Sequence, residues 1–460
     1  YNYAEALAKS MLFYEAQRSG SLPPNQRVRW RGNSAMNDGS DNNIDLSGGY
    51  YDGAGYIKYN FPMAFSSTLI SWSVIRYGRT YRALGQYNHA LDTIKWATDY
   101  FIKCHPEPNL FYGQVSDKSA DSQFFGRPED MTYQRRSYKI DFTQPEIGTD
   151  LAAEAAAAMA SAAIVYKTVN PSYSNTLQQH AVELYNFATT APRRPYSRSI
   201  RHAAQAYGTE ASSYKDELAW AALWLYKLTR LPVYLNDAKR IVTEFSWNVK
   251  TAGVQLLLSE MTNTRRFKAA FKLLGQSSYC PPPPAACNRF DAQTPNAVSG
   301  LIFQLNSFNL SEVLIKTYVV RLYRCTLTYC AVQIIRTREA EKFPNAQNAK
   351  GWRDAGIRQI SYLLGGNKKR QSFVVGFGRI SPTQPLHKGS SCPLPPNRCG
   401  HTFKNRDQPN PNILYGALVG GPTPLDDFSD LRTEEEQSRV SLDANAGFQA
   451  AVAGIIHLKL

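Results

Sequence analysis

Cysteine pairs are the residues of this chain whose spacing most directly indicates chemistry. Four of the seven cysteines form two close pairs, Cys280 with Cys287 in CPPPPAAC and Cys392 with Cys399 in CPLPPNRC. A short gap stiffened by prolines favours a disulfide within a loop, since neither pair has the neighbouring histidine or second CxxC of a zinc site. We therefore predict the disulfides Cys280–Cys287 and Cys392–Cys399, with metal ligation or free thiols as the alternatives. Three cysteines are left over: Cys104, Cys325 and Cys330. Because that number is odd, at least one thiol is expected to be free or paired between chains.

Positive charge is the second feature with chemical consequences. Lys and Arg number 52 against 37 Asp and Glu, which gives a formal net charge of +15. Basic residues cluster in APRRPYSRSIRH (191–202) and in the run Lys368, Lys369 and Arg370. Such charge attracts an acidic polysaccharide or another acidic extracellular polymer, or it is a solvated basic face without a ligand. Nucleic acid is not a predicted partner, because no helix-turn-helix, RNA-binding or zinc-finger signature accompanies the charge.

Composition excludes several classes of protein. Hydrophobic residues make up 43% of the 460 residues and charged residues 19%, which is too apolar for a disordered chain. No window approaches 18 uninterrupted apolar residues, so no membrane span is predicted. The loop cysteines favour an oxidising compartment. We expect a secreted, extracellular protein, and a signal peptide, if there was one, to have been removed.

The elements that position the functional side chains are predicted to be helices. Apolar residues recur at three- and four-residue spacing in nine segments. These segments are 4–20, 65–78, 89–104, 150–169, 180–190, 216–230, 313–336, 352–365 and 445–458. Long loops rich in Gly, Pro, Asn and aromatic residues separate them at 20–63, 105–148, 272–300 and 366–432. No segment alternates strongly enough to predict a sheet, and no linker divides the chain, so we predict one helical domain over residues 1–460.

An alanine run at 152–163 has two interpretations. It is either a close contact between two packed helices or a membrane or dimer face. The flanking charges of Asp150, Glu154 and Lys167 favour close packing. Trp220 and Trp224 are likewise predicted to lie in the core rather than on a ligand platform.

The loop sequences resemble one family from end to end. The motifs, in order, are FYEAQRSGSLP, WRGNSAMND, DLSGGYYDGAGYIKYNFPMAFS, FGRPEDM, YKIDFTQPEIGTDLAAE, SSYKDELAWAALWLY, SFVVGFG, SSCP, LYGALVGGP and DANAGFQ. Together they resemble glycoside hydrolase family 9, and within it the animal endo-β-1,4-glucanases. The resemblance is weakest at about 265–350. It implies an all-α (α/α)6 toroid with a cleft at the loop end, and inverting hydrolysis of cellulose-like chains.

An inverting glycosidase needs a general base that activates water and a general acid that protonates the leaving oxygen. The family's base motif is Asp-Ala-Gly-Asp, whereas this chain reads Asp52, Gly53, Ala54 and Gly55 with matching flanks. The alignment therefore places Asp52 at the first Asp and Gly55 at the base. Because glycine has no side chain, position 55 is predicted to be unable to take a proton.

The acid position has also changed. The family carries a Glu six residues before Asn-Ala-Gly-Phe-Gln, and Arg439 stands six residues before that run at Asn445. A guanidinium keeps its proton at pH values up to about 12, so Arg439 is predicted to be no general acid. The nearby Glu434–Glu436 are predicted to form a solvated acidic patch rather than a replacement.

The positions that contact the sugar in the family also carry different residue types in this chain. A His and an Arg, two apart, hold the sugar in the family, and here Leu386 and Lys388 stand at those places with His387 between them. The other changed positions are Ser122, Phe125, Ser307 and Ala444. We expect a vestigial cleft lined by Tyr51, Asp52, His387 and Lys388. The set of changes predicts a retained fold and a lost reaction.

Two further sites follow from the resemblance or from a motif. Some family members bind calcium through a loop matching Ser212, Asp216 and Glu217 and through an Asp where this chain has Asn248. No cofactor is required, and the alternative to structural calcium is that the acids stabilise a helix N-terminus. The sequon Asn309-Leu310-Ser311 allows N-glycosylation of Asn309 if the protein is secreted.

Three functions agree with this sequence. The first is a secreted cellulase-like pseudoenzyme that binds an acidic matrix. The second is a weakly active endo-β-1,4-glucanase that uses Asp52 with an unrecognised acid. The third is a subunit of a larger extracellular assembly that contacts other protein subunits. Salt-sensitive polymer binding, measurable turnover or a native mass well above 51.6 kDa would distinguish them.

Overall fold

Helices dominate the part of the chain that the computed structural model describes. The described residues are 1–142, 148–190, 193–196, 213–241, 349–423 and 426–458, with five more between 253 and 261. The helices of this part are α1 (Tyr3–Gln17), α2 (Asn60–Ala83), α3 (Tyr87–Cys104), α4 (Lys118–Ser122), α5 (Thr149–Tyr166), α6 (Pro171–Thr189), α7 (Lys215–Thr229), α8 (Pro232–Ile241), α9 (Ala349–Leu363), α10 (Lys388–Ser391), α11 (Glu435–Ser438) and α12 (Leu442–His457).

Eight of the nine predicted helices lie in this part, and each is present within a few residues of its predicted bounds, except that α2 and α6 begin earlier. Polar side chains begin several of them. Asn2 accepts a hydrogen bond from the Glu5 amide at 3.1 Å, and Asn170 begins α6 by accepting from the Tyr173 amide at 3.1 Å. Such caps satisfy amides that have no partner inside the helix. The helix predicted at 313–336 lies outside the described residues, and α8 was not predicted.

Helix α5 is the central helix of the described core. Its alanines from Ala152 to Ala163 are fully buried, and it packs against α2, α6 and α7. Methyl side chains allow the backbones of neighbouring helices to approach closely, which the buried run requires. Close packing, one of the two interpretations of the alanine run, is therefore what the structure shows.

Tryptophan rings fill the space between α2 and α7. Trp72 contacts Trp220 and Trp224 edge to face, with ring centroids 5.6 and 5.8 Å apart. Trp220 and Trp224 are buried and lie 5.5 Å from each other. Both residues therefore belong to the core, as predicted.

A small antiparallel sheet lies where the sequence predicted only loops. Strand β2 (Leu110–Val115) pairs with β1 (Lys58–Tyr59) on one side and with β3 (Ser137–Asp141) on the other. The prediction of no sheet is wrong for a physical reason. Because β2 is buried on both faces after its first residue, its sequence LFYGQV does not alternate between apolar and polar.

A buried ion cluster ties the loops to this sheet. The Lys58 ammonium lies 2.7 Å from Asp38, and the Arg135 guanidinium lies 2.7 Å from the other oxygen of the same carboxylate. Lys58 also donates to the carbonyls of Leu46 and Gly48 at 2.6 and 3.0 Å. Because a buried charge must be paired and hydrogen-bonded, this cluster fixes three loop segments relative to one another.

Two further predictions concern disulfides and membranes. Cys392 and Cys399 form a disulfide with their Cα atoms 5.5 Å apart, which confirms that pair. Cys104 is a buried free thiol, and burial raises its pKa to about 12. Among the described residues, no helix has the length and apolar character needed to cross a membrane.

Candidate active site

Three loop segments that are far apart in the sequence meet beside the N-terminus of α12. Gly53 pairs with Ser441 as an antiparallel bridge, and Leu386 pairs with Arg439 as a parallel one. Backbone amides complete the junction. Leu442 donates to the Asp52 carbonyl at 3.0 Å, Lys388 to the Ala54 carbonyl at 2.9 Å and Leu386 to the Ser438 carbonyl at 2.9 Å. The structure therefore brings together the predicted base, sugar-contact and acid segments.

Close backbone approach explains the glycine at position 53. A Cβ on Gly53 would lie 2.2 Å from the Val440 carbonyl oxygen, which is far inside van der Waals contact. A side chain at position 53 would therefore require the backbone at Val440 to shift.

Gln17, the last residue of α1, makes hydrogen bonds to two of these segments. The Gln17 amide donates to the Gly53 carbonyl at 3.0 Å, and its oxygen lies 2.8 Å from Nε2 of His387. Nδ1 of His387 accepts from the Ser390 amide at 2.9 Å, so the imidazole is the N-cap of α10. Because Nδ1 accepts, the ring is neutral with its proton on Nε2. Burial, reinforced by the positive charge of Arg31, lowers the His387 pKa to about 3.

His387 and Tyr51 are therefore internal side chains. His387 is 2% exposed, and Tyr51 is fully buried with its hydroxyl 2.9 Å from Ser34 Oγ. Of the four residues predicted to line a vestigial cleft, these two present no polar atom to solvent in this conformation. Asp52 is half-buried. A contact between Asp52 and a sugar stays a prediction.

A carboxylate occupies the room next to Gly55. A Cβ built on Gly55 would lie 2.1 Å from Oδ2 of Asp121 and 2.9 Å from its Cγ. The Asp121 carboxylate accepts from the Tyr56 amide at 2.8 Å and from the Tyr133 hydroxyl at 3.2 Å, both on Oδ1. The predicted base position thus has no side chain of its own and has another residue's carboxylate beside it.

Lys388 is the partner of this carboxylate. Its ammonium donates to Asp121 Oδ2 at 2.7 Å and to the Asp121 carbonyl at 2.5 Å. The two side chains are 11% and 12% exposed. Burial lowers the pKa of Lys388, and the charge of Asp121 opposes that shift. Lys388, predicted to line the vestigial cleft, is engaged in an internal ion pair.

Asp121 was missed by sequence reasoning. It immediately precedes Ser122, which the alignment places at a changed sugar-contact position, but no motif marks it. The only available signal was indirect: a buried lysine at position 388 needs a carboxylate, and its identity depends on how distant loops fold.

Arg439 lies at the surface. Its side chain is 46% exposed, and its guanidinium is 3.9 Å from Glu435, which in turn binds Lys404 at 3.1 Å. Glu434, Glu435 and Glu436 are all exposed, as predicted for a solvated patch. Exposed pairs of this kind are screened by water and contribute little to stability.

The other changed sugar-contact positions differ in burial. Ser122 is exposed and donates to the Ser119 carbonyl at 3.0 Å. Phe125 is buried beside His401, with ring centroids 6.0 Å apart, and Ala444 lies in the first turn of α12 and is buried. Ser307 lies outside the described residues.

The predicted calcium ligands are only partly described. Asp216 and Glu217 are buried in the first turn of α7, where acids also interact favourably with the helix dipole. Ser212 and Asn248 lie outside the described residues. Both interpretations of the acids therefore stay open.

Another group of side chains could hold a metal ion. His105, His180 and Glu183 place one ligand atom each within 4.8 Å of one another. The two Nδ1 atoms lie 2.7 Å apart, which is a hydrogen bond and requires one of them to be protonated. Burial lowers the pKa of His105 to about 4 and also lowers that of His180, so both rings are neutral near pH 7.

Several predictions concern residues that the structure does not describe. They are the Cys280–Cys287 disulfide, the thiols of Cys325 and Cys330, glycosylation at Asn309, and the part of the basic cluster formed by Arg198, Arg201 and His202. Arg193 and Arg194 are described and exposed, as are Lys368, Lys369 and Arg370. Lys369 lies 3.1 Å from Asp427.

Comparison with known proteins identifies close relatives over the whole chain. The family description "Glycosyl hydrolase family 9" matches residues 3–452. Endoglucanase 20 of Arabidopsis thaliana is 40% identical over 468 aligned residues, which cover 99% of this chain and 94% of that protein. Endoglucanase 19 of the same plant is 39% identical over 99% of this chain and 74% of its own length.

Solved structures give the same result. An endoglucanase of the termite Nasutitermes takasagoensis matches with a TM-score of 0.86 at 38% identity, with both chains fully covered. The cellulase Cel9M of C. cellulolyticum, solved in complex with cellobiose, matches with a TM-score of 0.82 at 26% identity over 100% of this chain and 99% of that one. These matches confirm the predicted (α/α)6 toroid.

Proposed function

This chain belongs to glycoside hydrolase family 9, and on that premise we propose that it is a secreted cellulase-like pseudoenzyme. It keeps the fold of the family's endoglucanases and has lost the general base and the general acid. Its role is binding or structural, in an extracellular assembly or an acidic matrix. The observation that carries the proposal is that neither Gly55 nor Arg439 can perform the proton transfer that the family's reaction needs at its position.

The residues around the predicted base position support this proposal. Glycine at 55 supplies no proton acceptor, and the adjacent Asp121 carboxylate is already bound by an ammonium, an amide and a hydroxyl. Both oxygens of this carboxylate are occupied, Oδ1 by the amide and the hydroxyl and Oδ2 by the ammonium. Asp121 is therefore a poor substitute for the lost general base.

The acid position supports it in a different way. Arg439 cannot give up its proton near neutrality. The glutamates one turn away are exposed, and Glu435 is shared by Lys404 and Arg439. A catalytic acid must keep its proton at the operating pH, and burial of the carboxyl group usually supports this. Glu434, Glu435 and Glu436 are all exposed.

Loss of both groups removes a large part of the rate. General acid and general base catalysis contribute typically about 10²–10⁴-fold each. Inverting hydrolysis also needs the two carboxyl groups roughly 6.5–9.5 Å apart, with room for water between them. A chain without either group is expected to fall below detectable turnover.

A weakly active endo-β-1,4-glucanase is the alternative function. It is favoured by Asp52, which remains at the first position of the base motif and is only half-buried, and by the endoglucanase names of the relatives. Under this alternative, Asp52 would act with an acid that the sequence does not reveal.

The proposed binding role rests on charge. The net charge is +15, and described basic residues at 193–194 and 368–370 are exposed. An excess of this size attracts carboxylated or sulfated polymers at low ionic strength. We propose residues 1–460 as one domain without a separate binding module, with other protein subunits as further partners. Structural calcium and glycosylation at Asn309 stay predictions.

Reducing-sugar release from a soluble β-1,4-glucan tests the loss of activity. We expect no turnover above buffer from the natural chain, with an active endoglucanase of the family as the positive control. Turnover comparable to that control would contradict the proposal and establish the alternative function.

Polymer binding tests the role that replaces activity. We expect the natural chain to bind a sulfated or carboxylated polysaccharide with a dissociation constant that rises steeply with salt, and not to bind a neutral glucan in this way. Native mass measured at the same time would report an assembly. If the chain is inactive, monomeric and indifferent to both polymers, the binding role is wrong although the loss of activity stands.

A further inference from the structure

We propose that His105, His180 and Glu183 form a binding site for a divalent transition-metal ion that joins the end of α3 to α6. One ligand atom of each residue lies within 4.8 Å of those of the other two. The site shares no residue with the predicted base, acid and sugar-contact positions or with the predicted calcium ligands. It therefore goes beyond the proposed function and does not depend on it.

Two helices position the three side chains. His105 directly follows the last residue of α3, and its amide donates to the Ile102 carbonyl at 3.2 Å. His180 and Glu183 are three residues apart within α6, so they lie on the same side of that helix. Helices α3 and α6 pack against each other. The ligands thus come from two elements that the fold already holds together.

His105 is oriented to bind an ion through Nδ1. Its Nε2 lies 3.4 Å from the Pro108 carbonyl oxygen, and because a carbonyl can only accept, the proton of the ring is on Nε2. The lone pair of Nδ1 then faces Nδ1 of His180 at 2.7 Å. Metal-binding histidines almost always donate their other ring N–H to a carboxylate, a carbonyl or water. The Pro108 carbonyl therefore selects the tautomer that binds a metal.

The proton between the two histidines marks the position of the ion. Because Nδ1 of His105 accepts, Nδ1 of His180 donates in their hydrogen bond. A neutral imidazole can carry its proton on either nitrogen, so moving the His180 proton to Nε2 directs both Nδ1 lone pairs at one point. A metal ion then replaces the shared proton. Binding through these two nitrogens needs only a change of tautomer at His180.

Small movements convert the cluster into a coordination site. A tetrahedral zinc ion about 2.0–2.1 Å from each nitrogen separates two ligand atoms by roughly 3.3 Å. The two Nδ1 atoms must therefore move apart by about half an ångström, and the Glu183 carboxylate must approach them. His180 and Glu183 are half-buried, so they have room to adjust and an ion can reach them from solvent. His105 is 2% exposed and is the fixed ligand.

The donor set determines the class of metal. Two imidazole nitrogens and one carboxylate suit Zn²⁺ and other late first-row ions such as Co²⁺. Calcium and magnesium prefer sites made of oxygen atoms. Gln179 donates to Oε1 of Glu183 at 2.9 Å, which is the kind of hydrogen bond that orients a ligating carboxylate. Three protein ligands leave a fourth coordination position to water.

Calorimetric titration with ZnCl₂ tests the site. After treatment with a chelator, the natural chain is expected to bind Zn²⁺ at a site that His180→Gln weakens by more than about 100-fold, since loss of even an outer-shell partner costs roughly 10–100-fold. Glu183→Gln keeps the shape of the side chain and removes its charge, and it is expected to weaken binding by about tenfold or more.

Thermal unfolding gives a second readout that needs no activity. An ion that binds the folded chain stabilises it by mass action, so saturating Zn²⁺ is expected to raise Tm of the natural chain by a few degrees. It is not expected to raise Tm of His180→Gln. Co²⁺ in place of Zn²⁺ is expected to give visible absorption bands with the natural chain that are absent from this variant.

His89→Gln is the matched control, because His89 is also half-buried and lies in α3 outside the cluster. It is expected to leave the zinc affinity and the Tm shift unchanged. If His180→Gln does not fold, Glu183→Gln carries the test. A natural chain that does not bind Zn²⁺, or equal binding by the natural chain and the cluster variants, would overturn the proposal. Glucan turnover enters none of these measurements, so their failure is separate from failure of the proposed function.

Discussion

The predicted base and acid positions of this family 9 chain lie in two physically different environments. At position 55 a glycine stands next to a buried carboxylate from the short helix α4. At position 439 an arginine side chain lies half in solvent. One position is therefore in contact with packed groups, and the other is largely independent of its surroundings.

This difference determines how strongly a substitution at each position is expected to affect the fold. In a packed interior, a substitution is felt by every group that has adjusted to it. At the surface, most substitutions change stability by less than about 0.5 kcal/mol. A substitution at position 55 is therefore expected to disturb its neighbours more than one at position 439. Four predictions test this contrast, beginning with the largest expected effect.

Removing the Lys388 charge is expected to have the largest effect. Lys388→Met leaves the Asp121 carboxylate in a nearly buried site without its ammonium, so we expect a loss of about 3 kcal/mol or more in the free energy of unfolding. Chemical denaturation measures it.

The matched control for this prediction is Lys404→Met on the acid side. Lys404 binds Glu435 at 3.1 Å, but that pair is 36% and 49% exposed, so we expect a change below about 1 kcal/mol. Equal effects of the two substitutions would contradict the contrast between a buried and a solvated site.

The disulfide that follows the Lys388 segment ranks second. Cys392 and Cys399 are seven positions apart, and cross-linking so short a loop stabilises a fold by about 2–3 kcal/mol. We expect Cys392→Ser/Cys399→Ser to lose that amount in the free energy of unfolding. A double variant as stable as the natural chain would contradict this prediction. It would also show that the buried Asp121–Lys388 ion pair does not depend on the disulfide.

Reductant then tests the second predicted disulfide in the same double variant. If Tm of that variant still falls when a reducing agent is added, the Cys280–Cys287 pair is the expected source. If Tm does not respond, the prediction of a stabilising second disulfide is wrong.

Acid sensitivity of His387 is the third prediction. Its pKa is about 3 in the folded chain, below the ordinary value near 6.5, so the unfolded chain binds the proton more tightly. This contribution to stability is complete above pH 6.5 and is lost as pH falls toward 3. At pH 5 the loss is about 2 kcal/mol.

His387→Asn isolates this contribution from other titrating groups. Asparagine can also cap α10 and has no proton to gain, so the difference in stability between the natural chain and the variant should shift in favour of the variant as pH falls. Stability curves at pH 7 and pH 5 measure it. A pH-independent difference would show that His387 is accessible to protons and that this side of the site is open.

The sequence predicted the helical scaffold and gave a prediction for the base and acid positions. Apolar spacing identified the long helices because each buries one face, and α5 was recognised from its alanines. Gly55 and Arg439 were found because ungapped motifs flank them. The small sheet was missed because β2 is buried on both faces, and a strand of that kind shows no alternation.

The interior of the site was not predictable from the sequence. Asp121 and Gly55 are 66 positions apart, and their contact depends on how an irregular loop and the short helix α4 fold against each other. His387 was assigned to the cleft because of its place in a motif, whereas the structure uses it as a helix cap. Motif position therefore assigns residues to the site, but it does not predict which side chains contact one another there.

Reversal of the acid position is expected to have the smallest effect. Arg439→Glu removes an exposed pair with Glu435 and adds a carboxylate beside an acidic patch, so we expect a change within about 0.5 kcal/mol in the free energy of unfolding. Thermal and chemical unfolding measure it, and salt should reduce even this difference because the charges are solvated.

Arg432 provides the matched control from the same segment. It is 2% exposed, and its guanidinium donates to the Asn410 side chain at 2.6 Å and to the Phe403 carbonyl at 3.1 Å, so Arg432→Glu is expected to prevent stable folding. If Arg439→Glu were as damaging as Arg432→Glu, Arg439 would be packed into the fold. The predicted acid position would then be packed in the same way as the predicted base position, and the contrast between them would not hold.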